Sequence, residues 1–130
     1  MPAPHAVICS TTHPPGDVRL FSRLCCGLVQ CGWRVTLLLP KFGGDPPALP
    51  TGAEYVPLLH HEGYAARLRH AVPAVMQGLA QLAPDLAIFV DPELMPAMLR
   101  WQRRTGRPAV FDRHEHFERV ADTGTLSALG

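Results

Sequence analysis

The chain predicts an α/β fold, an open, doubly wound parallel sheet of about five strands. Three observations carry that prediction: apolar runs with no polar alternation, helix-period segments between most of them, and turn residues at the boundaries. Ala6-Val7-Ile8-Cys9 and Leu86 to Val90 are such runs. Strands that read this way are buried on both faces, as in a sheet covered by helices on each side.

The elements follow in order. His5 to Ser10 reads as the first strand, and Thr11 to Gly16 as a proline-rich loop. Asp17 is placed to cap a helix reaching about Gln30, with Val18, Phe21, Leu24, Cys25 and Leu28 inward and Gly32 as its stop. Arg34 to Leu39 is the second strand. The glycines and prolines of residues 42–52 mark a loop, and Glu54 to Leu58 is a short third strand. Leu68, Val72, Val75, Leu79 and Leu82 recur at helical spacing, and Pro73 should kink that helix. Leu86 to Val90 is the fourth strand. A third helix runs to about Arg104, with Pro96 as an alternative starting point, and Gly106-Arg107-Pro108 ends it. Ala109 to Phe111 opens a fifth strand, and Phe117 to Gly130 reads as a short helix and a loose end. Right-handed crossovers then give one doubly wound domain over residues 1–130.

Composition narrows the function. An apolar share of 47% and a charged share of 18% fit a folded domain rather than a disordered chain. A net charge of +1 leaves no electrostatic footprint for nucleic acid. No apolar stretch approaches membrane-spanning length, and Met1-Pro2-Ala3-Pro4-His5 lacks the basic start of a secretion signal, so a cytoplasmic location is the expectation. Cys9, Cys25, Cys26 and Cys31 include no CxxC pair and read as small apolar residues in a reducing compartment. His114, His116, His60 and His61 match no zinc spacing. Neither a metal nor a cofactor is expected.

Several nucleotide sites are excluded by motif. Thr11-Thr12-His13-Pro14-Pro15-Gly16-Asp17 holds one glycine, so neither GxGxxG nor a phosphate-cradling P-loop fits after the first strand. The second strand ends at Pro40-Lys41, with no acid to hold ribose hydroxyls. Glu54-Tyr55-Val56-Pro57 lacks the aspartate of a response-regulator receiver.

What remains is a pair of acidic clusters, Asp91-Pro92-Glu93 and Asp112-Arg113-His114-Glu115, each just past an apolar run. In a parallel α/β sheet ligands bind beyond the carboxyl ends of the strands, so the two clusters are candidates for one crevice. Asp17 is a helix cap or a ligand contact. Arg19 lies in the first turn, where the helix dipole gives a cation nothing, and calls for a partner: Asp91, Asp112 or a phosphate. Asp91 opens a helix or shapes a loop, and Glu93 is an acid in that helix's first turn or, in the loop, a carboxylate able to accept hydrogen bonds from a ligand. Asp112 and His114 alternate on an extended strand end, so Asp112 would orient the His114 ring and favour its charged form. The other reading of that segment is a solvated, charged strand end. His13 lies on the loop over the same edge.

Four segments carry a family resemblance: residues 12–21 (THPPGDVRLF), 32–37 (GWRVTL), 91–96 (DPELMP) and 111–115 (FDRHE). In this order and spacing they resemble the N-terminal domain of family 4 glycosyltransferases of the GT-B fold, whose lobe is Rossmann-like. The chain departs from the family pattern at Ile88 and Val90, where histidines are frequent, and at Arg113, where a small apolar residue is usual. The resemblance implies an acceptor-side lobe for an enzyme that moves a sugar from a nucleotide-sugar to a hydroxyl acceptor. His114 and Glu115 would be its catalytic residues, and His13, Arg19, Asp91, Glu93 and Asp112 would bind substrate. The nucleotide-sugar would be held by a C-terminal donor-binding half that these residues do not include, so the lobe alone is expected to be inactive. The alternative is a non-catalytic binding or partner domain. Either way the short fifth strand is an exposed edge, and self-association is an expectation.

Overall fold

The computed structural model describes residues 2–13, 23–41 and 48–112. Five strands, β1 (His5–Cys9), β2 (Arg34–Pro40), β3 (Ala53–Leu58), β4 (Leu86–Phe89) and β5 (Ala109–Phe111), form one sheet in the order β3-β2-β1-β4-β5. Every pairing is parallel. The chain winds outward from β1 through β2 to β3, then crosses to the other side of β1 for β4 and β5. The order therefore reverses between β1 and β4, and there the loops after two adjacent strands separate to leave a crevice. This is the doubly wound, Rossmann-like arrangement that the apolar runs predict.

Alternation along the strands builds two cores. Ile8, Val35, Leu37, Leu39 and Ile88 face one side, where Cys25 and the helix α1 (Cys26–Gln30) pack on them. Val7, Cys9, Leu38, Ala87 and Phe89 face the other, covered by α3 (Val72–Leu82) and α4 (Met95–Thr105) through Val75, Leu79, Met98 and Trp101. One helix–strand approach is tight enough that a side chain there would have to push Leu38 aside. A Cβ on Gly78 would stand 2.8 Å from Leu38 Cδ2, so glycine lets α3 sit down on β2. Gly106 ends α4 with φ 73°, the left-handed conformation that glycine adopts without strain.

The crossover from β3 to β4 departs from the expected kinked helix. A short helix α2 (Tyr64–Ala66) runs into a π-helical turn (Arg67–Ala71), and α3 follows with Pro73 at its start. Proline has no N–H, and its ring collides with the carbonyl four residues back. A wider turn just before it relieves that collision. The same widening rotates the preceding residues about the axis, and Leu68 is accordingly exposed rather than part of the inner seam. Between β4 and α4, Pro92–Leu94 form a single 3₁₀ turn, and Pro96 falls in the first turn of α4. The expected alternative, a shaped loop after β4 with the helix proper starting near Pro96, is the one observed.

Candidate site at the β1/β4 crevice

The reversal between β1 and β4 brings Ser10-Thr11-Thr12-His13, at the end of β1, against Asp91, at the end of β4. Asp91 is only 3% exposed. The preceding β4 backbone and the proline behind it aim its carboxylate at the β1 loop rather than at its own helix, and it makes no cap hydrogen bond. Oδ2 accepts from Ser10 Oγ at 2.6 Å and from the Thr11 backbone N–H at 2.8 Å. Oδ1 accepts from Thr12 Oγ1, with His13 Nδ1 at 3.4 Å. Burial alone would push this carboxyl up. Hydrogen bonds from His13, Ser10, Thr12 and Thr11 outweigh it and hold the group below its ordinary value of 3.8.

The loop is also tied to itself. Ser10 Oγ accepts from the backbone N–H groups of Thr12 at 3.0 Å and His13 at 2.8 Å. His13 Nδ1 lies 3.1 Å from Ser10 Oγ and 3.0 Å from Thr12 Oγ1. Its side chain is 24% exposed, so the imidazole meets the outside, and Thr12 is also only partly buried. Thr11 Oγ1 is buried and has no hydrogen-bond partner among the described residues, an unmet demand beside the crevice.

Glu93 leaves this cage. Its carboxylate turns to Arg67 on the π-helical turn, with Nε donating to Oε2 at 2.9 Å, and the Glu93 side chain is 7% exposed. Arg67 also lies over the Tyr64 ring, 5.8 Å from its centroid. Asp112 stands just past β5, its backbone N–H donating to Phe89 O at 2.8 Å, which extends the β4–β5 pairing by one residue. Asp91, Glu93 and Asp112 thus share one edge of the sheet, but Asp91 faces β1 while Glu93 faces the β3–β4 crossover. Arg19, His114 and Glu115, together with Asp17 and the segment 117–130, lie outside the described residues.

Sequence reasoning missed Ser10, Thr12 and Arg67. The run Ser10-Thr11-Thr12 straight after an apolar strand is a readable signal, three hydroxyls where a phosphate site would need glycines. Nothing near Glu93 in the sequence points to Arg67, because the π-helical turn sets that meeting.

Other hollows lie elsewhere. One of about 390 Å³ is lined by the ends of α3 and α4, including Leu79, Pro84, Trp101 and Arg104. One of about 250 Å³ is lined by Arg34, Gly52, Ala53 and Glu54. Both open at the edge where the strands begin. Among the described residues no group of three or more His, Cys, Asp or Glu is arranged to hold a metal ion. His61 and His70 stack, with ring centroids 5.2 Å apart. Among the same residues no helix is long and apolar enough to cross a membrane.

No protein-family model matches the chain. No curated protein matches it. Among solved structures it is similar to the C-terminal domain of a hydrogenase from Pyrococcus furiosus, with a TM-score of 0.51 and 18% identity, over 85% of this chain and 90% of that one. At that identity the likeness bears on the fold alone, and it agrees with the α/β architecture.

Proposed function

We propose that this chain is the acceptor-side lobe of a two-lobed, GT-B-type glycosyltransferase. It binds a sugar or other hydroxyl acceptor at the β1/β4 crevice. A nucleotide-sugar is held by a donor-binding lobe, in a longer chain or a partner subunit. The observation that carries this reading is the polar cage at the strand-order reversal: a buried carboxylate, three hydroxyls and an imidazole, with no glycine-rich phosphate cradle. Such a set suits hydroxyl recognition. The lobe's part in the reaction would be to position the acceptor and stabilise charge as the diphosphate leaves.

The second reading, a non-catalytic binding or partner domain, has one observation in its favour. Glu93, placed by the sequence to hold a sugar, is held by Arg67 instead.

Titration separates the readings. Mono- and disaccharides added to the ¹⁵N-labelled chain should shift the Thr11, Thr12 and His13 amides with dissociation constants of roughly millimolar size. UDP- and GDP-sugars should leave them unmoved. Binding of a nucleotide-sugar by this chain alone at about 1 mM or tighter would contradict the division of labour.

A further inference from the structure

The layer of α3 and α4 carries charge of one sign. α3 holds no charged residue over Val72–Leu82. Its outer face shows Pro73, Gln77, Ala80 and Gln81 to solvent, where a surface helix ordinarily carries charged side chains. α4 has no acid over Met95–Thr105. Helical spacing puts Ala97, Met98 and Trp101 on its buried side and Leu99, Arg100, Arg103 and Arg104 on the exposed one. Leu99 is 44% exposed. The helix dipole favours Arg103 and Arg104, which lie in the last turn. Arg100 lies a turn earlier and neighbours both on the helix surface, where like charges repel.

The carboxylates that could offset these arginines are committed elsewhere. Residues 72–111 hold three acids, Asp85, Asp91 and Glu93. Asp85 accepts from Arg107 at 3.1 Å, Asp91 is enclosed by the β1 loop, and Glu93 is turned to Arg67. The outer face therefore combines an uncharged helix, an exposed leucine and three guanidiniums, with no acid on either helix to balance them.

We propose that this face docks flat on an anionic lipid surface, with the arginines at the lipid phosphates and Leu99 turned to the acyl boundary. The single sign favours lipid over protein. A protein partner presents both signs across an interface, so a surface matched to it carries both. An anionic leaflet is uniformly negative and repels any carboxylate brought to it. Guanidinium also pairs with phosphate oxygens through two parallel N–H···O bonds. A helix lying in the plane of the interface, polar on one side and anchored by an apolar residue, binds without spanning the bilayer. The docking face shares no residue with the β1/β4 crevice and is independent of what the crevice binds.

Co-sedimentation of the chain with vesicles tests the docking. Phosphatidylcholine vesicles containing phosphatidylglycerol should pellet the chain, phosphatidylcholine alone should not, and raising the salt should release it. Arg100→Gln and Arg103→Gln should each weaken the partition about fivefold, and together about 25-fold. Arg34→Gln, at an exposed arginine that begins β2, should leave it nearly unchanged. All three arginines are exposed, so circular dichroism should show the variants folded as the wild type. Equal binding to both kinds of vesicle, or a loss from Arg34→Gln as large as that from Arg100→Gln, overturns the docking face. Failure to sediment with the anionic vesicles overturns the lipid; polyglutamate or a single-stranded oligonucleotide held through the same arginines would then identify an acidic polymer as the occupant.

Discussion

Each end of the sheet holds a histidine, a hydroxyl and a carboxylate in line, and the two sets are buried in opposite order. Where the strands end, the carboxylate of Asp91 is the buried member and His13 looks outward. Where they begin, His5 is buried at 5% exposure, its Nε2 is 2.7 Å from Thr36 Oγ1, and Thr36 donates to the exposed Glu54 at 3.0 Å. The member that is buried decides the electrostatics. Burial and the Arg34 guanidinium hold the His5 imidazole below its ordinary 6.5, with Glu54 and Asp85 opposing, so this end is built around a neutral ring. Four hydrogen bonds hold Asp91 ionised, so the other end is built around a buried anion. A buried anion needs a shell of donors and orders the loop that supplies them. A buried neutral ring needs one partner and leaves its surroundings free.

The largest effect should come from removing the anion. Asp91→Ala orphans the donors of Ser10, Thr11 and Thr12, at about 1–3 kcal/mol for each that water does not reach, so denaturant unfolding should show a loss of about 3–5 kcal/mol. His5→Leu should cost about 1 kcal/mol, because Thr36 keeps its bond to Glu54. Similar losses from both would dissolve the contrast.

Acid should separate the two ends by pH window. His5 binds a proton more readily unfolded than folded, so its contribution falls as pH drops through 6.5 and levels off below the depressed folded value. Asp91 has the depressed folded value of an acid, so its contribution is complete above 3.8 and is lost only as pH falls below that. Stability measured against pH should therefore decline in two steps, and His5→Leu should remove the upper one and leave the lower. The smallest effect belongs to the Arg107–Asp85 pair at the strand-start edge, 3.1 Å apart and half exposed. Arg107→Ala should change stability by no more than about 0.5 kcal/mol by that pairing.

The contrast also marks what the sequence could tell. Strands buried on both faces must be largely apolar, and residues 6–9 of β1, residues 37–39 of β2 and all of β4 stand out for that reason. Gly32 and Gly106 mark helix ends because only glycine takes the left-handed turn without strain. The π-helical turn before Pro73 was not legible, since it is a packing response to one proline rather than a pattern. The cage was half legible. Asp91 and His13 are conspicuous, but their meeting spans about eighty residues and depends on β4 returning beside β1. That adjacency follows from sheet order, which local spacing does not encode. The same gap explains Glu93: its acidic neighbour suggested a shared task, while the fold sent the two carboxylates to different partners.

The central claim is that Asp91 is a buried anion holding the β1 loop at the crevice. Its ¹³C-labelled side-chain carboxyl, followed by NMR as pH is lowered, tests it. The carboxyl should titrate below 3.8, and the Thr11, Thr12 and His13 amides should move in the same transition. A carboxyl titrating at or above 3.8, or loop amides indifferent to it, would contradict the account.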